Sequence, residues 1–101
     1  MRIISRARLR EYWAGHPDDE TSLKRWHKVV KSASWKRFAD IKKTFNTVSP
    51  YAKTNKKYCI FNVGGNNVRI IAAIHYNTQR LYIRMVLSHD EYSKNRWKDA
   101  L

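Results

Sequence analysis

Cysteine, long apolar runs and carboxylates are all scarce in this chain, and each scarcity removes a class of protein. Cysteine occurs once, as Cys59, so no internal disulfide can form, and one thiol cannot anchor a zinc site. The longest uninterrupted apolar run, Ile70 to Ile74, is far too short to cross a bilayer. The opening Met1-Arg2-Ile3-Ile4-Ser5-Arg6 carries basic residues without an apolar signal core, so a cytoplasmic protein is expected. Acidic residues number 8 against 21 Lys plus Arg, for a formal charge of +13. They are also clustered: Glu11, Asp18, Asp19, Glu20 and Asp40 come early, Asp90, Glu91 and Asp99 late, and none falls between Ile41 and His89. That stretch lacks the oxygen ligands of a magnesium or manganese site, so neither a metal nor another cofactor is expected.

What is present is enough for one real core. A length of 101 residues with 43% hydrophobic and 13% aromatic content suits a single domain spanning 1–101 and argues against a disordered basic tail. The carboxylate-free stretch holds Lys42, Lys43, Lys53, Lys56, Lys57, Arg69, Arg80 and Arg84. A region of one sign repels itself, so it is expected to face a polyanion, most commonly nucleic acid.

Met1 to Ile4 reads as a short strand. Ser5 is placed to cap a helix running to about Ala14, which Gly15-His16-Pro17 stops. Asp18, Asp19 and Glu20 suit the start of a second helix, where the macrodipole favours negative charge. Leu23, Trp26, Val30 and Ala33 form one apolar stripe on it, and Lys24, Lys28 and Lys31 occupy another face. Phe38, Ile41 and Phe45 repeat the spacing in a shorter helix. Asn46 to Asn55, containing Ser49-Pro50, reads as a loop. Three strands follow over 58–63, 68–77 and 80–88, and His89 to Leu101 closes as a short helix with Trp97 and Leu101 packed. The expected fold is α+β: a small, mostly antiparallel sheet on N-terminal helices.

A two-residue turn at Thr78-Gln79 sets His75 opposite Tyr82, Ala73 opposite Arg84 and Arg69 opposite Ser88. If Gly64 to Asn67 closes the other hairpin, Val63 lies opposite Val68 and Asn62 opposite Arg69; a tighter Gly64-Gly65 turn shifts this pairing by two and keeps every residue on its face. One face then carries Cys59, Phe61, Val63, Val68, Ile70, Ala72, Ile74, Ile83, Met85 and Leu87, and is the expected core. The other carries Lys56, Tyr58, Asn62, Arg69, His75, Tyr82, Arg84 and Ser88, with Ile60, Ile71 and Val86 between them.

Two guanidiniums, an imidazole and phenols on one surface suit phosphodiester chemistry. Arginine forks match phosphate oxygens, histidine donates protons near neutral pH, and aromatic rings stack on splayed bases. Each residue also has a plainer role. A strand arginine is usually solvated surface, His89 after a strand can be part of a helix cap, and His16 and His27 read as structural or exposed. Cys59 reads as a packed thiol.

The segments Met1-Arg2-Ile3-Ile4-Ser5, Leu9-Arg10-Glu11-Tyr12-Trp13 and His16-Pro17 resemble the start of the HigB toxin family. Leu23, Trp26, Val30, Trp35-Lys36, Phe61-Asn62-Val63, Gly65-Asn66 and Val68-Arg69-Ile70 continue the likeness, and Ile83-Arg84 with Ser88-His89-Asp90-Glu91-Tyr92 completes it. The resemblance implies a RelE-like fold and the toxin of a type II toxin–antitoxin pair, a metal-independent endoribonuclease that cuts mRNA in the 70S ribosome. It implies a HigA-like helix-turn-helix antitoxin as partner. Carried onto this sequence, it implies that Arg69 holds the scissile phosphate, with Arg84, His89 and Tyr92 completing the catalytic set. Such toxins usually have Gly-Thr before this histidine, where this chain has Leu87-Ser88. The general base stays open among Tyr92, Lys57 and His75. Lys56, Lys57, Tyr58, Asn62, His75 and Tyr82 are expected to bind RNA, and Lys24, Lys28 and Lys31 to dock on RNA or the ribosome. A non-catalytic RNA- or ribosome-binding protein fits the composition equally well; a helix-turn-helix DNA regulator and an amphipathic membrane binder fit it less well.

Overall fold

The computed structural model describes residues 1–101. Strand β1 (Arg2–Ile4) leads into helix α1 (Ala7–Gly15), a 3-10 turn over Pro17–Asp19, α2 (Glu20–Ser32) and α3 (Phe38–Thr44). Strands β2 (Ser49–Lys53), β3 (Lys56–Val63), β4 (Val68–His75) and β5 (Arg80–Ser88) follow, then α4 (His89–Ser93) and a 3-10 turn over Arg96–Ala100. The five strands form one sheet in the order β1-β5-β4-β3-β2, antiparallel except for the parallel β1–β5 pair. The fold is therefore α+β, as the sequence pattern predicts. No helix is long and apolar enough to cross a membrane.

The apolar stripes meet on one face of the sheet. Leu9 and Tyr12 of α1, Leu23, Trp26 and Val30 of α2, and Ile41 of α3 bury against Cys59, Phe61, Val63, Val68, Ile70, Ala72, Leu81 and Ile83. Phe61 is the hub. Its ring lies 5.3 Å from that of Trp26 and 5.4 Å from that of Phe45, both edge-on, and 6.4 Å from that of Trp35. The ends of this core are set by backbone more than by caps. Ser5 does not cap α1 as expected: it takes φ 70°, Arg6 is the N-cap residue, and no side chain bonds there.

Further expectations are corrected. The stretch 46–55 is not all loop, because Ser49–Lys53 pairs with β3 in the register Lys53↔Lys56 to Ser49↔Ile60. Pro50 is tolerated because β2 is an edge strand, where a missing N–H can face away from the ladder. The turn after β4 spans Tyr76 to Gln79, so His75 pairs with Arg80 and Ala73 with Tyr82. Gln79 takes φ 55° and its side-chain amide donates to the carbonyls of Trp35 (2.6 Å) and Tyr76 (2.8 Å), fixing that longer turn to the helical layer.

The third correction changes faces. Ala72 pairs with Ile83 but Ile71 with Met85, so Arg84 is an extra, bulged residue in β5. Beyond the bulge the alternation is inverted. Val86 packs on the helix-covered core, whereas Met85 and Leu87 turn to the other side, and Arg69 lies opposite Leu87 and not Ser88. The second face is also not an open polar surface. Trp97 buries there against Tyr58, Ile60, Ile71 and Ala73, with Leu101 beside it. The closing segment that carries Trp97 is broken at Asn95, which takes φ 61°.

Candidate active site

Arg69 sits near one end of this second face. Strand β4 holds it directly opposite Asn62 of β3, and it is only 8% exposed. Its guanidinium lies 4.9 Å from the centre of the Tyr92 ring and donates to the Asn66 carbonyl at 2.9 Å. No carboxylate pairs with it; the protein's single ion pair is Lys24–Glu20 on α2. A buried cation normally has an anionic or hydrogen-bonded partner. Arg69 has one carbonyl and one ring, which leaves most of its five N–H donors for an anion.

The β3–β4 turn organises this end. Gly64, Gly65 and Asn66 all have φ between 61° and 78°, a left-handed run that only glycine and asparagine adopt readily. The turn aims two consecutive carbonyls at the site: Asn66 accepts from Arg69, and Asn67 accepts from the backbone N–H of His89 at 3.0 Å. His89 opens α4 and is exposed. Ser88, not His89, caps that helix: Ser88 Oγ accepts from the Glu91 N–H at 3.2 Å, and Glu91 Oε1 accepts from Ser88 N and Oγ at 3.1 Å each. The capping box thus engages Glu91 and fixes His89 and Tyr92 relative to Arg69. Tyr92 is braced from behind by Trp97, stacked at 5.4 Å, whose Nε1 donates to the Tyr92 carbonyl.

The other basic cluster lies further along the sheet. Arg84, exposed on its bulge, approaches Tyr82 at 5.9 Å, and His75 lies 4.9 Å from the same ring. Strands β3 and β4 stay paired only as far as Cys59↔Ala72, so Lys56–Tyr58 and Ala73–His75 part from one another. The notch between them, about 370 Å³, is lined by Asn55, Lys56, Lys57, His75 and Arg84 among others. Arg69 and Arg84 therefore share a face without touching a common group.

Between the clusters runs a groove of about 450 Å³ formed by Met85, Leu87 and Trp97 with Lys94, Arg96 and Glu91. Lys94 and Arg96 were not singled out by sequence; their signal is a second pair of cations just after His-x-x-Tyr. The sequence pattern puts Met85 and Leu87 in the core, because the bulge leaves no trace in composition.

The remaining expected residues are dispersed. Tyr58 is 5% exposed and packs beneath the C-terminal segment. Lys57 alternates to the helix-covered side and rims both the notch and a rear cleft. Lys24, Lys28 and Lys31 are exposed on α2, in the layer on the far side of the sheet from Arg69. His16 is structural: its ring stacks on Tyr12 at 4.0 Å, and its Nδ1 lies 3.0 Å from the Tyr12 carbonyl. Burial pushes the Cys59 thiol up to about 11, which makes it an inert packed group at neutral pH. No three His, Cys, Asp or Glu side chains lie together as a metal-binding group.

Comparison with known proteins agrees with this arrangement. Residues 19–95 match the family model described as HigB_toxin, the RelE-like toxic component of a toxin–antitoxin system. The chain is 31% identical over 94 residues to the mRNA interferase HigB of Escherichia coli O6:H1, covering 93% of this chain and 90% of that protein. It is 29% identical over 92 residues to the mRNA interferase toxin HigB of Escherichia coli K12, covering 91% and 88% respectively, and equally similar to the mRNA interferase HigB of Shigella flexneri. With a match over most of its length and a fold of the expected class, the chain belongs to the HigB family of RelE-like toxins.

Proposed function

We propose that this toxin is an endoribonuclease that cuts mRNA using the RNA's own 2′-hydroxyl as nucleophile. The observation that carries this reading is Arg69: buried, lacking a carboxylate, and braced by the Tyr92 ring and the Asn66 carbonyl beside the start of α4. A guanidinium held in that way is preorganised for a phosphate, and its donors gain strength as charge builds on the phosphoryl oxygens.

In this mechanism a base removes the 2′-hydroxyl proton, the 2′-oxygen bonds to phosphorus, and the bond from phosphorus to the 5′-oxygen breaks. His89 gives a proton to that leaving oxygen. The products are a 2′,3′-cyclic phosphate and a 5′-hydroxyl, with no metal step. Arg69 neutralises the phosphate, and Arg84 meets the chain further along the same face. Of the base candidates, Tyr92 stands against Arg69, whereas His75 and Lys57 border the distant notch. Lys56, His75, Tyr82 and Asn62 line the path of the bound RNA, and the α2 lysines serve docking on the ribosome. The names of the relatives, mRNA interferases, support mRNA as the substrate. Family membership supports an antitoxin partner of the HigA type.

Inducible expression of the wild type, Arg69→Ala and Arg84→Ala, with mapping of mRNA 5′ ends, tests this. The wild type arrests growth and creates new 5′-hydroxyl ends, and Arg69→Ala lowers cleavage by about 10²–10³-fold. Harmless wild-type expression, or cleavage that persists in Arg69→Ala, sinks the reading. A substrate with one 2′-deoxyribose at the cut site binds and stays intact.

A further inference from the structure

The largest concavity of the molecule backs onto the notch, sharing Lys57, Tyr58 and Ile74 with it. It lies on the helix side of the sheet, where α3 begins and leaves the β2–β3 edge uncovered, and measures about 710 Å³. Phe38, Pro50, Ala52, Cys59, Ile74 and Tyr76 give it an apolar floor, and Lys36, Arg37 and Lys57 ring it. No carboxylate lines it. The nearest one, Asp40, accepts the backbone N–H of Lys36 at 2.9 Å.

The cleft adjoins the open edge of the sheet, since β2 is a terminal strand. Lys53↔Lys56 closes a two-residue hairpin at Thr54–Asn55, so Lys53, Tyr51 and Ser49 direct their main-chain groups towards β3. Pro50 and Ala52 then direct theirs outward. The free edge presents the Ala52 N–H and C=O and the Pro50 C=O, beside the apolar floor.

We propose that this cleft and the β2 edge together dock an extended, acidic segment of the antitoxin, which adds as a strand to β2 and seats an apolar side chain in the cleft. This rests on membership of a toxin–antitoxin family and not on the cleavage mechanism. Charge complementarity selects the occupant: three cations against the single nearby carboxylate of Asp40 leave a net positive rim that calls for an anionic partner, and main-chain pairing plus an apolar pocket is how sheet edges recognise extended peptides. A second copy of this chain would bring its own +13 charge against the same basic rim, and a proline on the edge blunts self-pairing. RNA suits the rim but not the floor. The floor is mostly apolar side chain, and the free main-chain groups of β2 are spaced to pair with a peptide backbone, which a nucleotide chain cannot match.

The test uses the full toxin and its cognate antitoxin. Lys36 and Arg37 are exposed and the substitutions lower the net charge, so the double variant K36E/R37E is expected to melt no lower than the wild type. Its affinity for the antitoxin by calorimetry falls by about tenfold or more, and Lys36→Arg with Arg37→Lys retains it. Hydrogen exchange on the wild-type complex shows new protection at the Ala52 amide. The proposal is overturned if K36E/R37E binds the antitoxin as the wild type does, or if the β2 amides stay unprotected in the complex. It is equally overturned if a 2′-O-methyl RNA, and not the antitoxin, protects β2 and α3. None of these measurements involves cleavage, so failure here is distinct from failure of the nuclease reading.

Discussion

Arg69 is held more firmly than a surface arginine needs to be, yet its guanidinium makes one hydrogen bond within the protein, to the Asn66 carbonyl. At the scale of single residues, the sequence made the chemistry visible because guanidinium and imidazole groups stand out in a stretch without carboxylates. It could not show that Tyr92 would brace one arginine while the other lay across the face beside Tyr82 and His75. The Tyr92 contact depends on where α4 lands, which the β3–β4 turn helps to set through the Asn67 carbonyl and the His89 N–H; the others depend on the bulge in β5. His27, read as structural or exposed, has a testable consequence of its own. Burial first, then the cations of Arg6 and Lys31, hold its pKa below the usual imidazole range. The unfolded chain therefore binds a proton at His27 more readily than the folded one. The stability tied to His27 is complete above the ordinary value of about 6.5 and is lost as pH falls below it. Thermal melts at pH values on either side of that range should show a larger acid-side drop for the wild type than for His27→Gln. An equal drop in both proteins removes this role for His27.

At the scale of elements, apolar alternation located β3, β4 and β5 and their faces, while the choice between two β3–β4 registers needed the observed four-residue turn, which pairs Val63 with Val68 and Asn62 with Arg69. It failed at β5 beyond Arg84 for a physical reason. Met85, Val86 and Leu87 are all apolar, so either alternation puts hydrophobic side chains inward, and only the pairing of Ile71 with Met85 reveals the inversion. Strand β2 escaped because Ser49-Pro50 has the chemistry of a loop, and the tolerance of an outer edge for proline requires knowing the strand order. The capping box at α4 is the element on which the site depends most. This helix has only 5 residues, too few to hold itself, so Ser88 and Glu91 fix its start. Ser88→Ala should lower stability by about 1 kcal/mol in urea denaturation. It should lower cleavage further than that loss of folded protein explains, because His89 and Tyr92 are released relative to Arg69. Full activity per folded molecule in Ser88→Ala would show that the cap does not position the site.

At the scale of the whole molecule, the charge sets two opposing responses to salt. A net +13 with a single ion pair means that most cations face one another across solvent instead of being neutralised within the fold. That self-repulsion opposes the compact state and is screened over a Debye length of about 10 Å at 0.1 M salt. Raising sodium chloride from low to moderate concentration should therefore raise the melting temperature. The same screening weakens RNA binding, because each phosphate neutralised by a lysine or arginine releases counterions. For a single strand, the logarithm of affinity should fall with the logarithm of salt by about 0.7 per phosphate contact. Removing Arg84 or Lys56 should reduce that slope by about one contact each if they meet separate phosphates along the chain. Replacing Lys28, on the opposite side of the sheet, should leave the slope for a short RNA unchanged. A melting temperature that falls with added salt would mean that unrecognised attractions outweigh the repulsion. An unaltered slope in Arg84→Ala would place the second arginine off the RNA path, leaving Arg69 and the start of α4 to hold the substrate alone.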